Sequence, residues 1–452
     1  MKKTRKLLCA ILAVSAMLSS MIVPVSAAYK NGRYIQSTIT FIPYSGFGAT
    51  SIAHFNNALW EWNNASSRNL MNRSPTLRHN ASYYDTSYNA PDDGKSYIYA
   101  CNTGSINYMT QLRIYPRSGD AVTSADINFN MHANYPWANS KQQGKYDVWT
   151  AFIREAGTVA GLGSPSDSGS VMYMPEKNKL RRYPSNGDKS VIRSIYNHSV
   201  NLTSTYTNSF DNKGENTVIL DGTMPFFTLQ DLVKYSNLII RATCVSSSEP
   251  FKIQAYDGGI SVFKDYYFEI QNTLLGESKT GKKVKVRIEG GQLDGLNVIE
   301  KNSPQFSIGD RAILFLYQPN MGGGFNVKDS GCYYPVGLKQ GIYIENRSTA
   351  GKSLYSGKPG DVLYESENVS YDYSMITDCA EQTQRADINR ITKEQGVTAA
   401  RIDLKTYKDN QIPQLYEKNI QQCKAVGVIN EYGYNMLRNS TNHYAQILKD
   451  TN

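Results

Sequence analysis

Histidine is scarce in this chain, five in 452 residues, and none stands at the i, i+4 spacing that puts two on one helical face. No C-x-x-C occurs, so neither a thiolate zinc site nor thioredoxin-type chemistry is supported. A G-x-S-x-G elbow for a hydrolase serine is missing too. Gly322-Gly323-Gly324 is not followed by Lys and Ser or Thr, and reads as a turn rather than a phosphate loop. The Asp/Asn-rich stretch from Tyr84 to Gly94 lacks calcium-loop spacing. After the N-terminal segment, no apolar run reaches about 18 residues, so no later membrane span is expected. The basic residues are scattered, with no arginine-rich arm, which argues against a nucleic-acid partner. Their densest group, Lys279 to Arg287, alternates with Val284, Val286 and Ile288 and predicts a strand with one solvated and one buried face.

What is present begins at the N-terminus. Lys2, Lys3, Arg5 and Lys6 precede an apolar run from Leu7 to Val23, then Val25-Ser26-Ala27-Ala28. That pattern predicts an export signal over 1–27, cleaved after Ala27; Ser15, Ser19, Ser20 and Pro24 argue against a permanent anchor. Its loss would lower the formal charge from +9 to about +5 and place the mature protein in a secreted, extracellular setting. It would also remove Cys9, leaving five cysteines, an odd number, with 244–332 and 379–423 as plausible pairs. Tyrosine, at 33 against 14 phenylalanines, leans towards secreted β-rich domains.

The length implies several domains. Residues 28–200 mix strands and helices: strands at Tyr34–Pro43, Ser96–Ala100, Leu112–Tyr115 and Ala125–Met131, and a helix from Ile52 to about Ser66 capped by Ser51. Asp147 caps a second helix running through Ala160, stopped by Gly161 and Gly163. Residues 217–345 carry short strands between glycine turns and predict a small β-barrel. Residues 346–378 read as a Gly/Ser/Asn-rich linker, exposed and mobile. Residues 379–452 read as a helical hairpin, Leu415–Ala425 and Asn430–Leu448 with Gly427 between them.

The densest signal is Arg154-Glu155-Ala156-Gly157-Thr158-Val159-Ala160-Gly161-Leu162-Gly163-Ser164, followed by Ser170-Val171-Met172-Tyr173 and then Asp188 to Tyr196. This ordered set, with Phe55 to Trp62 and Ala125-Asp126-Ile127, resembles the matrixins, metzincin-type zinc endopeptidases, over roughly residues 34–196. The resemblance implies an α+β zincin-like fold, a twisted sheet plus an active-site helix. In that family two histidines at i and i+4 and a third beyond a glycine turn hold zinc. A glutamate deprotonates the metal-bound water, and a Met-turn lies beneath. Here the ligand positions carry Arg154, Thr158 and Ser164, while Glu155, Gly161 and Met172 remain. Hydroxyls are poor zinc donors, and a guanidinium sets a fixed positive charge beside the metal position. His54, His79, His132, His198 and a displaced Asp167 offer no substitute site. Leu238 to Thr243, Tyr266 to Leu275 and Phe306 to Phe315 faintly resemble the netrin-like, OB-type barrel of metalloproteinase inhibitors, without the N-terminal cysteine those inhibitors use.

The resulting expectation is a secreted, matrixin-like, non-catalytic binder of an extracellular peptide or protein. Glu155 would be idle, Arg154, Thr158, Ser164 and Met172 would mark the altered site, and no cofactor would be held. The rivals are an active zinc metalloendopeptidase with unconventional ligands and a structural cell-surface protein. Arg154 is further expected to pair with Glu155 or Asp167 where the metal would sit.

Overall fold

The computed structural model describes residues 28–78, 94–102, 106–118, 120–165, 168–197, 216–254, 260–278, 280–300, 302–318, 331–347, 353–357, 371–395 and 404–439. Residues 1–27, where an export signal is expected, therefore lie outside the described residues, and among those described no helix is long and apolar enough to cross a membrane.

The chain is mixed α+β. Strands β1 (Ile39–Pro43), β2 (Met71–Arg73), β3 (Ser96–Cys101) and β5 (Ala121–Asn130) run parallel, and β4 (Thr110–Ser118) lies antiparallel beside β5. The order is β4-β5-β3-β1-β2. Helix α1 (Ala49–Ser66) joins β1 to β2, and α2 (Val148–Val159) follows β5. Their contact is aromatic: Phe55 and Phe152 lie 4.7 Å apart between ring centroids, and the Trp62 indole donates to the Ile153 carbonyl at 2.7 Å. Covering helices explain why β3 is buried at every position instead of alternating. The predicted Asp147 cap forms, its carboxylate accepting from the Thr150 amide. Ser51 does not cap α1. The helix starts at Ala49, and the Ser51 hydroxyl instead donates to the Val428 carbonyl at 3.0 Å. Tyr34–Ile35 is a separate short strand, broken from β1.

The boundary at residue 200 is not where the first sheet ends. Strand β6 (Asn216–Thr223) pairs antiparallel with the outer edge of β4, through Gly222↔Gln111 and Thr223↔Thr110. Next come β7 (Leu238–Ser247), β8 (Ile260–Leu275) and β9 (Lys283–Glu289), then β10 (Gly291–Leu293) and β11 (Leu296–Glu300), which return to the first sheet beside β6. With β12 (Arg311–Tyr317) and β13 (Cys332–Pro335), strands β7-β8-β9-β13-β12 close into a ring when β12 pairs with β7. That is the expected small barrel, its core filled by Ile240, Phe268, Val286 and Leu314. One face of β9 departs from expectation. Arg287 is buried and bidentate to Asp265 at 2.8 and 2.9 Å, so a charge read as solvated is an internal ion pair.

Part of the stretch 346–378 is ordered strand. Ile342–Arg347, Ser353–Gly357 and Tyr371–Asp372 extend the barrel sheet in sequence; much of the rest lies outside the described residues. At the C-terminus Leu404–Ala425 turns at Gly427 into a helix over 431–439, and the two pack on each other as the hairpin reading expected, the Tyr434 hydroxyl donating to Glu417 at 2.6 Å; residues 440–448 lie outside the described residues. Tyr373–Gln395 packs Ile376 and Ala380 into the barrel-side core with α3 (Leu229–Tyr235). Leu404–Ala425 and the helix over 431–439 pack Tyr416, Ile420, Cys423 and Leu437 into the core of the first sheet. Helix Tyr373–Gln395 and this C-terminal pair answer to different apolar cores, which local periodicity does not reveal. For the same reason 379–423 does not pair. Cys101, Cys244, Cys332, Cys379 and Cys423 are all free, and four of them are buried.

The seam between the sheets carries a buried polar network. The Tyr108 hydroxyl donates to Glu300 Oε1, as does the Asn302 amide at 3.0 Å, with Asp221 and Glu289 nearby. Burial first, and then the neighbouring Glu289 and Asp221 charges, push the Glu300 carboxyl up to about 8, against the donated hydrogen bonds. The unfolded carboxyl ionises near 4.5, so from there to about pH 8 the native state holds more protons than the unfolded one and stability falls as pH rises. We expect a slope approaching 1.4 kcal/mol per pH unit between about pH 5.5 and 7, falling to about half of that at pH 8. Glu300→Gln should flatten it. Chemical denaturation at three pH values checks this, and an unchanged slope in the variant would refute the assignment.

Candidate functional site

Helix α2 is buried along its whole length, so every side chain it carries must find a partner inside the protein. Arg154, 2% exposed, solves this with three bonds. Its Nη1 donates to the Thr223 hydroxyl at 2.7 Å and meets Glu155 Oε1 at 3.3 Å, and Nη2 donates to the Ser164 hydroxyl at 2.6 Å. Glu155 is fully buried and accepts from the Thr110 hydroxyl and, at 2.5 Å, from Thr223. Burial pushes its carboxyl up from the usual range, opposed by the Arg154 charge and the two hydroxyl donors.

Positions 154 and 164 therefore meet, as the family geometry implied, and Arg154 pairs with Glu155; Asp167 lies outside the described residues. Thr158 does not join them. Its hydroxyl turns back to the Arg154 carbonyl at 3.2 Å, the ordinary helical alternative for a threonine. Its place beside the carboxylate is taken by Thr110 of β4 and Thr223 of β6, which sequence reading missed. Thr223 lies 68 residues from Glu155, and no local signal links them.

Below this group the chain turns at Gly161, whose φ of +98° and close approach to the Arg33 carbonyl both require glycine. Met172 is fully buried beneath α2. A Cβ on Gly157 would stand 2.4 Å from its sulfur and 2.7 Å from the Trp62 ring, so helix, turn and tryptophan touch only because residue 157 is glycine. The turn is pinned by Asp188, the N3 residue in the capping box of helix Asn186–Tyr196, whose N-cap is Ser185. Asp188 accepts from the Ser170 hydroxyl at 2.5 Å, the Val171 amide at 3.2 Å and the Ala28 nitrogen at 3.1 Å.

The zinc that the matrixin resemblance implies does not fit these donors. The converging groups are a guanidinium and hydroxyls, and the guanidinium sets a fixed positive charge among them that would repel a cation. His54 bonds the Asn139 carbonyl at 2.9 Å, and His132 is buried, its imidazole pushed down to about 4 by burial alone. Neither approaches Glu155 in any hydrogen bond, and His79 and His198 lie outside the described residues. Among the described residues no three His, Cys, Asp or Glu gather as a metal site.

Above Arg154 and Ser164 a cavity of about 530 Å³ opens between the first sheet's loops and the barrel side. Its walls are aromatic, chiefly Tyr135, Tyr146, Tyr173, Phe226 and Tyr235, and Lys177 stands at one side, 5.4 Å over the Tyr146 ring. No family model matches this chain, and no curated protein matches it significantly.

Removing the Arg154 side chain would leave Glu155 buried without its counter-ion and Ser164 and Thr223 without a donor. Arg154→Ala is expected to destabilise the chain by about 3 kcal/mol or more, as for other broken buried pairs. Denaturant titration of the full chain measures this; a loss under about 0.5 kcal/mol would mark Arg154 as a surface-like residue.

Proposed function

We propose that the chain is a non-catalytic, matrixin-like exported protein that binds an extracellular peptide or protein through the cavity above Arg154. The strand order β4-β5-β3-β1-β2 with β4 antiparallel at the edge, the buried helix after β5, the glycine turn and the methionine beneath it all support the zincin-like reading. One observation carries the loss of catalysis. The guanidinium of Arg154, bonded to Ser164 and Thr223 and paired with Glu155, sets a fixed positive charge there that would repel a metal ion. On this reading Glu155, paired with Arg154 and held by the Thr110 and Thr223 hydroxyls, is idle.

The architecture also narrows how a ligand enters. The outer edge of β4 is already occupied by β6 of the same chain, so no external peptide can add a strand there. Binding is left to the cavity. Purified mature protein should carry far less than one zinc per chain after dialysis and should not cleave casein. Stoichiometric retained zinc, or chelator-sensitive casein cleavage lost in Glu155→Gln, would overturn the reading.

A further inference from the structure

Arg154 is held by three bonds yet is not saturated. Among the described residues its Nε has no hydrogen-bond partner, although the side chain is buried and lines the cavity. A guanidinium offers its Nε and one Nη along a single edge, the edge that grips a carboxylate with two parallel bonds. On Arg154 the Ser164 hydroxyl takes an Nη2 hydrogen, and an Nε hydrogen beside it remains unused.

The charges lining the cavity point the same way. Of its carboxylates, Glu176 is engaged by Arg181 and, at 3.0 Å, by Lys179, and Asp231 closes the capping box of Thr228. Lys177 stands over the Tyr146 ring, with Asp231 nearby. The carboxylates thus bond within their own elements, while two cations, the buried Arg154 and Lys177, line the space. The remaining wall is aromatic, suited to a flat or bulky apolar body.

We propose that this cavity binds the C-terminal residue of a peptide, its free carboxylate on the Nε edge of Arg154 and an aromatic or large aliphatic side chain among Tyr146, Phe226 and Tyr235. A chain end fits better than a chain interior because β6 closes the strand edge along which an extended peptide would otherwise run. The proposal rests on the binding reading above and gives it a ligand class.

The test uses the full mature chain, shown to be zinc-free, and calorimetric titration with Ala-Ala-Ala-Ala-Phe as free acid and as C-terminal amide. The acid should bind, and the amide should bind at least about tenfold more weakly, because a charged hydrogen-bond pair is lost. Arg154→Lys, which keeps the charge but not the fork, should also weaken the acid by about tenfold. Equal binding of acid and amide, or no binding of the acid at roughly millimolar concentration, overturns the proposal. N-acetylphenylalanine binding as tightly as the pentapeptide overturns the peptide source in favour of a small carboxylate. The acid and amide arms need no variant, so the result stands even if Arg154→Lys does not fold. A zinc-free, proteolytically inert protein that fails to separate acid from amide defeats only this inference, whereas zinc and casein cleavage defeat the reading beneath it.

Discussion

A chain ending at residue 403 should lose the cooperative folding of its N-terminal half. Tyr416, Ile420, Cys423, Val428, Ile429 and Leu437 each retain 3% or less of their exposure and belong to the same core as Phe55, Phe129 and Trp137. Burying large apolar side chains contributes about 1.5–3 kcal/mol each, with extended-chain values as upper limits. Loss of six such contacts rivals the whole stability of an ordinary domain, about 5–15 kcal/mol. Polar ties would go as well: the Asn419 amide donates to the carbonyls of Met131 and His132, and Asn139 Nδ2 donates to Gly427 at 2.8 Å. Melts of 28–452 and 28–403 followed by circular dichroism decide this. A truncated chain that melts cooperatively within about 5 °C of the parent, a shift near 1–2 kcal/mol for domains of this size, would show the C-terminal helices to be accessory.

Asp188→Ala should be among the costliest single substitutions in the first half. Its carboxylate is completely buried and accepts from Ala28, Ser170, Val171 and Ser185, so it joins the chain start, the methionine turn and the helix cap. If export processing ends at Ala27, as the leader pattern predicts, the Ala28 nitrogen becomes an ammonium 3.1 Å from that carboxylate. The hydrogen bond is then a buried ion pair, and breaking one typically costs 3–5 kcal/mol. N-terminal sequencing should return Ala28, and Asp188→Ala should lower stability by about that amount. A protein beginning upstream of Ala28 should also melt lower, because its uncharged amide cannot make the pair. A loss under about 1 kcal/mol in Asp188→Ala would refute the role, since even an ordinary cap contributes that much.

Local signals in the sequence located most of the elements. The spacing of Val148, Phe152 and Val159 behind Asp147 placed α2, Gly161 placed its end, and the alternation from Val284 to Ile288 placed β9. Each is a short-range effect, a cap, a φ preference or a period, which neighbouring residues specify among themselves. The identity of the groups at the altered site was equally legible, because the types and order of Arg154, Glu155, Gly161, Ser164 and Met172 are read directly.

Partnership was legible for the sequence neighbours Arg154 and Glu155, but not across the chain. The Arg287 side chain sits on the face its alternation marks as polar, yet Asp265 of the next strand makes that position an internal pair. Ser51 looks like a cap, yet the C-terminal segment lies against the helix start and takes its hydroxyl.

The sequence by itself determined most of the helices and strands, and that positions 154, 158 and 164 carry no imidazole. Only the tertiary structure decided that β6 covers the edge of β4, that Thr110 and Thr223 rather than Thr158 hold Glu155, and that the last helices complete the first core. The reason is physical. Helix and strand propensities act over a few residues, whereas burial of an apolar face and satisfaction of a buried charge are met by whichever segment the closed chain brings near, across separations of 45 and 68 residues at Glu155 alone.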